Sequence, residues 1–252
     1  MKTAGTATVA LIFTLGTASA PAQTPGPSFP AQEAERASFY LLRGADTVII
    51  ERSIRTPSEL TGEFLDKARG ARLEYVAAIT PAKTINRLAV HSYRSATDTT
   101  GEIATFELEG NEMRVTIGKD GTVPLPSVEG ALPVLNPSVA FIEQLVMRAK
   151  TLSSEPSVSV PVFLIGTQNS STASVSFKAD SAVIIYANVV MRVAISATGR
   201  VRGGVVPAQQ VTITRGPAGP PLVLRKASRT AVSPLKMDFD ARETRASRSA
   251  IP

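Results

Sequence analysis

Apolar and polar residues alternate with a period of two in segment after segment of this chain. Few sequence patterns restrict a fold more, because such alternation suits half-buried strands and little else. "ASFYLLR" (37–43) and "DTVIIERSIR" (46–55) flank Gly44-Ala45. In the second, Val48, Ile50 and Arg52 share one face, and Thr47, Ile49, Glu51 and Ser53 share the other. "ELTGEFLDKA" (59–68), "ARLEYVAAIT" (71–80), "INRLAVHSYR" (85–94), "GEIATFELEG" (101–110) and "EMRVTIGKDG" (112–121) continue the rhythm. Gly110-Asn111 and Asp120-Gly121 supply turn chemistry that tolerates positive φ.

The alternation is interrupted once. In "NPSVAFIEQLVMRAKTL" Asn136 is a candidate cap and Pro137 suits a first helical turn, where no amide donor is needed. Val139, Ile142, Leu145, Val146, Ala149 and Leu152 then recur at helical spacing. The pattern predicts one main helix over about 137–152. Strands return after Pro156 in "SVSVPVFLIG", "ASVSFKAD", "AVIIYANVVMRVAISA" and "VRGGVVPAQQVTITR". Strands on both sides of a single helix predict an α+β, mostly antiparallel fold: a curled sheet or half-barrel around the helix, ranked above a closed sandwich.

The glycines of "ATGRVRGGVVPAQQVTITR" raise the question of a phosphate-gripping loop. Such a loop needs its glycines between a strand and a helix start. Here they lie between strand-like runs, so the expectation is a hairpin at Thr198-Gly199 and a bulge or sharp bend at Gly203-Gly204.

The ends differ from the body. Lys2, the apolar "VALIFTL" (9–15) and the small-residue "APA" (20–22) read as a signal peptide over 1–22, with Gln23 as the mature N-terminus. The apolar run is shorter than the roughly 20 residues of a membrane helix, and no other stretch is long enough, so no membrane span is expected. A flexible linker over 23–35, one β-rich domain over 36–215 and a basic Pro/Ala/Ser/Arg-rich disordered tail over 216–252 complete the expected organisation. From Pro21 to Thr214 there are 18 basic and 18 acidic residues, against 8 and 3 from Arg215 to Pro252. The high pI therefore belongs to the tail, and no nucleic-acid partner is expected. There is no cysteine. That excludes thiol catalysis, disulfides, cysteine metal sites and a lipid anchor, and leaves an exported periplasmic or extracellular protein held by its core alone.

Chemistry-bearing residues are sparse. His91 is the only histidine; it falls opposite Leu88 and Val90, no G-x-S-x-G elbow exists, and no histidine spacing suits a metal. Glu107 and Glu109 share a strand face, but the absence of tryptophan and of an aspartate-rich loop argues against sugar hydrolysis or calcium binding. Arg52, Arg55, Arg69, Arg72, Arg87 and Arg94 are expected to pair across strands with Glu51, Glu63, Glu74 and their neighbours. No catalytic residue, metal ligand or cofactor follows.

Two resemblances bear on function. The segments "DTVIIERSIRTPSELTGEFLDKARGARLEYVAAI" and "GRVRGGVVPAQQVTITR" resemble N-terminal β-rich accessory domains of secreted bacterial α/β-hydrolases, which implies a partner hydrolase and no catalytic residue in this chain. The plan of a curled sheet around a helix looks like the half-barrel carriers of bacterial envelopes, which implies a hydrophobic small molecule or lipid on the concave face. Phe163, Ile165, Ile185, Val189, Met191 and Val193 are the candidate lining. An unfamiliar enzyme site is the third reading; His91, Glu107 and Glu109 would be its obvious members.

Overall fold

In the computed structural model the described residues are 34–219, without 96, 97 and 99. The expected leader, most of the linker and nearly all of the tail lie outside them. The described strands are β1 (Glu35–Arg43), β2 (Asp46–Arg55), β3 (Glu59–Asp66), β4 (Ala71–Ile79), β5 (Ile85–Tyr93), β6 (Glu102–Glu109), β7 (Glu112–Ile117), β8 (Thr122–Pro126) and β9 (Leu132–Val134). Helix α1 (Val139–Leu152) follows, then β10 (Ser157–Leu164), β11 (Asn169–Lys178), β12 (Ser181–Tyr186), β13 (Val189–Ile195), β14 (Val201–Val206) and β15 (Val211–Gly216).

All fifteen belong to one curled, unclosed sheet, in the order β8 to β1, then β15 down to β9. Every neighbour is antiparallel except the β9–β10 pair. Two meanders, β1–β8 and β10–β15, are therefore joined by a long-range pairing of the first and last strands, with Phe39 opposite Arg215. The free edges lie against other parts of the sheet: β8 beside β11, where the Ser170 hydroxyl donates to Pro126 O at 3.3 Å, and β9 beside β5. Pro124 and Pro126 remove amide donors from the β8 edge, which blunts it as a template for another strand.

The expected fold class holds, and several details were invisible to periodicity. β8 and β9 were not expected. The run "AVIIYANVVMRVAISA" divides into β12 and β13 at Ala187 and Asn188, both left-handed at φ 47° and 61°, as a two-residue hairpin turn requires. The helix cap is also shifted: Ser138, not Asn136, is the N-cap, its hydroxyl accepting from the Phe141 amide at 3.3 Å. The Asn136 side chain is engaged elsewhere, Oδ1 accepting from the Tyr186 hydroxyl at 3.3 Å. Leu152, expected on the buried stripe, is exposed at the helix end.

The expected hairpin in the last glycine-rich stretch is present, and the bulge expected at Gly203-Gly204 falls one residue earlier, at Arg202. Gly199 turns between β13 and β14 at φ +85°. Ala194 pairs Gly203 while Ile195 pairs Val201, so Arg202 is the extra residue. A Cβ on Gly204 would lie 2.5 Å from Arg192 O, so the glycine allows the close approach of neighbouring backbone.

Candidate functional site

The sheet's inner face is not uniformly apolar. On β2 the inward positions are Ile49, Glu51, Ser53 and Arg55, with Glu51, Ser53 and Arg55 all buried. The apolar Ile50 and Ile54 point the other way and are only half-buried, while Val48, the extra residue at the register shift beside Leu41 and Leu42, packs against the core. Sequence alternation sorts the faces of this strand from Ile49 to Arg55 but misses the shift at Val48, and it does not reveal that the polar face is the buried one.

The reason is α1. Glu51, fully buried, stands between Phe39 on β1 and Phe64 on β3 and meets the helix N-terminus. Its carboxylate accepts from the Val139 amide at 2.6 Å, the Ala140 amide at 3.3 Å, the Tyr75 hydroxyl at 2.8 Å and the Ser138 hydroxyl. The first amides of a helix lack intrahelical partners and carry the positive end of its dipole, so a carboxylate placed there satisfies both. Burial nevertheless pushes the Glu51 carboxyl above its usual range, and the four donors offset only part of that rise. Tyr75 is pushed well above its ordinary value, first by burial and then by the adjoining carboxylate. Tyr75 reaches Glu51 across Gly62, where a Cβ would sit 2.3 Å from its hydroxyl oxygen.

One turn along the helix, Arg55 donates to Gln144 Oε1 and, at 2.9 Å, to Ala140 O. Gln144 passes the contact on, donating to Lys83 O at 2.7 Å. Further round, Glu143 faces β14 and β15. Its carboxylate lies 2.7 Å from Arg215 and 3.6 Å from Arg200, and both arginines also pair with Glu35, at 2.9 and 2.7 Å. Arg215 also donates to Val201 O at 2.9 Å. Burial raises the Glu143 carboxyl despite Arg55, Arg215 and Arg200 nearby, and burial lowers Arg55.

These groups were missed as a cluster by sequence reasoning, which paired the strand arginines only with strand carboxylates. The available signal was Glu143 itself, a carboxylate adjacent to the helix's apolar stripe. Arg52–Glu63 (3.7 Å) and Arg87–Glu107 (3.0 Å) do pair across strands as expected, whereas Arg72–Glu74 (3.6 Å) is a pair within β4. Among the described residues Glu51 has no arginine partner in an ion pair; it serves the helix instead.

A second polar group occupies the outer face. The Tyr93 hydroxyl donates to Glu74 Oε2 at 2.8 Å and lies 3.0 Å from His91 Nδ1. A phenol has one proton, so with that proton on the Glu74 bond the Tyr93 oxygen can only accept from His91 Nδ1–H. The Arg72 guanidinium covers the Tyr93 ring at 4.0 Å, and burial together with Glu74 pushes the phenol up to about 12. Glu107 and Glu109 are engaged by Arg87 and Arg114 and do not converge with His91. Among the described residues no group of three or more His, Asp or Glu side chains could hold a metal, and no helix is long and apolar enough to cross a membrane.

The proposed ligand-lining residues separate. Val189, Met191 and Val193 share the inner face of β13, with Met191 and Val193 buried and Val189 packed against the core. Phe163 and Ile165 are buried in the same core, but Phe163 lies on the face of β10 opposite Val160 and Val162. Ile185 is a correction: it is 44% exposed on the outer face. Of two consecutive isoleucines on a strand only one can face inward, and Ile184, fully buried against Val175 and Met191, is the one.

No family model matches the chain, and no curated protein matches it. Solved structures do. A DUF1089 family protein from Pseudomonas aeruginosa has a TM-score of 0.49 at 13% identity, covering 64% of this chain and 91% of that one. A β-barrel-like protein of the domain of unknown function DUF1849 from Brucella abortus has a TM-score of 0.45 at 10% identity, covering 72% and 93%.

Proposed function

We propose that this chain is an exported, non-catalytic envelope protein that binds a hydrophobic small molecule or lipid against the inner face of its sheet. One observation carries the reading: the inner face is divided by chemistry. The charged groups at the helix seat, on β1, β2 and β15 with Arg200 just before β14, are committed to the helix or to one another. The inner face of β10–β13 presents apolar side chains such as Val160, Val175, Ile184 and Val193. A helix fastened by charges on one side can yield to an apolar guest on the other, because dispersion contacts are exchanged there while ion pairs stay in place. Export rests on the leader-like residues 1–22, and periplasmic or extracellular residence follows from it.

Native mass spectrometry of protein taken from its own export compartment, followed by organic extraction, tests the proposal. The expected result is a stoichiometric apolar adduct on a chain beginning at Gln23, lost on denaturation. A bare chain under native conditions contradicts the ligand, and a first residue other than Gln23 contradicts the expected processing.

A further inference from the structure

The two halves of the sheet's outer face differ in charge. Over β2–β7 it carries carboxylates beside its arginines: Glu63 by Arg52, Glu74 by Arg72, Glu107 by Arg87 and Glu109 by Arg114. From Ser157 to Gly216 the sequence holds five basic residues and one acidic residue, Asp180, which stands in the turn between β11 and β12. Two of the five, Arg200 and Arg215, are spent inside on Glu35 and Glu143. The other three, Lys178, Arg192 and Arg202, are exposed, and among the described residues none of them is in an ion pair.

The strand register sets Arg192 among apolar neighbours. Val183, Arg192 and Val205 lie abreast on β12, β13 and β14, followed by Thr212 and Leu42. In the adjacent outward row Ile185 pairs with Val190. Ile185 is 44% and Val205 39% exposed. Ser174 and Ser176 border the patch on β11, opposite Ile185 and Val183. Arg202, the extra residue of the bulge, is exposed beside Gly203.

Exposed aliphatic side chains around an unpaired arginine, with no carboxylate on an outward position of β11–β15, suit a partner that is both anionic and apolar. The sheet curls around α1, so its outer face is convex and does not enclose a small molecule. Its outward positions on β11–β15 hold no aromatic ring on which a nucleic-acid base could stack. A fluid bilayer conforms to a convex face. Phosphates of acidic lipids match guanidinium groups, and the acyl boundary accepts aliphatic side chains.

We propose that the outer face of β11–β15 docks this protein on an anionic lipid surface, with Arg192 and Arg202 on the headgroups and Ile185 and Val205 at the acyl boundary. This surface is separate from the inner face and does not depend on what that face binds.

The sequence has no tryptophan, so Ile185→Trp in the full-length chain supplies a single fluorophore at an exposed position. Its emission is expected to shift to the blue with vesicles of phosphatidylglycerol and phosphatidylcholine, and to stay in place with phosphatidylcholine alone. Val76→Trp, exposed on the half that carries carboxylates, is expected to stay unshifted with both. In the Ile185→Trp background, Arg192→Gln with Arg202→Gln should weaken vesicle partitioning roughly tenfold or more, and Arg87→Gln should leave it within about twofold. The basic residues after Arg215 are common to every variant, so undiminished binding once Arg192 and Arg202 are neutralised overturns the proposal. An equal shift at Val76→Trp, or a shift with phosphatidylcholine alone, also overturns it. So does a shift that grows with protein concentration in the absence of vesicles, because the occupant is then a second copy.

Discussion

Glu51 lies on the second strand and Ser138 eighty-seven positions later, yet the Ser138 hydroxyl donates to the Glu51 carboxylate at the first turn of α1. The cap thus has two levels: Ser138 accepts from Phe141, while Glu51 takes the hydroxyl and the amides of Val139 and Ala140. A strand carboxylate so placed fixes both the position and the direction of the helix inside the sheet.

Acid is expected to stabilise this protein over part of its range. Burial holds Glu51 and Glu143 above the ordinary glutamate value of 4.5. The native state therefore binds those protons more readily than the unfolded chain. Their contribution is fully present below the unfolded value and is lost as the pH rises through the folded ones. Asp98 has the opposite sign: hydrogen bonds from Thr100 hold it down at about 2, so its contribution is lost as the pH falls from the ordinary 3.8 through that value. Urea unfolding free energies measured from neutral pH down to about 4.5 should increase, and Glu51→Gln should flatten the rise. An unchanged slope in that variant removes Glu51 from the explanation.

Gly62→Ala should cost far more than Gly44→Ala. The first would place a Cβ 2.3 Å from the Tyr75 hydroxyl and 2.6 Å from Arg52 O, displacing the donor that Glu51 uses. Overpacking of that kind costs about 1–3 kcal/mol or more. At Gly44 nothing lies within 4 Å and only the φ of +61° resists a side chain, at about 1 kcal/mol. Equal shifts in the urea midpoint would show that Tyr75 moves aside freely.

Charge pairs inside and outside the sheet should differ sharply. Glu143→Ala leaves Arg200 and Arg215 without their most buried partner. Because those side chains retain 22% exposure, partial rehydration places the loss at the lower end of the usual range, about 3 kcal/mol. Arg87→Ala breaks an exposed pair with Glu107 and should stay within about 0.5 kcal/mol. Similar losses for both would mean the inner cluster is hydrated like the outer pair.

The two isoleucines of β12 give the most direct check on facing. Ile184→Ala should cost about 2–5 kcal/mol, as cavity creation in a packed core does, whereas Ile185→Ala should change stability by about 0.5 kcal/mol or less. The reverse order would put β12 one residue out of register.

Much of the fold was legible because alternation and helical spacing are local. The strands of "DTVIIERSIR" and "RLEYVAAI", the helix beginning near Val139, and the hairpin and bulge around Gly199 and Gly203 all follow from nearest-neighbour chemistry. What was not legible depends on contacts far apart in sequence. Nothing local marks Glu51 as the cap of a helix eighty-seven residues away, or joins β1 to β15. The alternation of β2 pointed to two faces, but only the arrival of α1 decides that the one bearing Glu51, Ser53 and Arg55 is buried. Ile185 was misplaced because Ile184 and Ile185 are adjacent and equally apolar, and only the pairing of Ile184 with Val175 and Met191 decides which of them faces inward.

The central claim is that buried polar groups of the sheet hold the helix in place. A double-mutant cycle of Glu51→Ala and Ser138→Ala, followed by urea unfolding, tests it most directly. The account predicts that each change alone is strongly destabilising and that the two together cost less than their sum, by roughly 1 kcal/mol or more. Additive losses would show that the two residues act independently, and the idea of a shared seat for the helix would have to be abandoned.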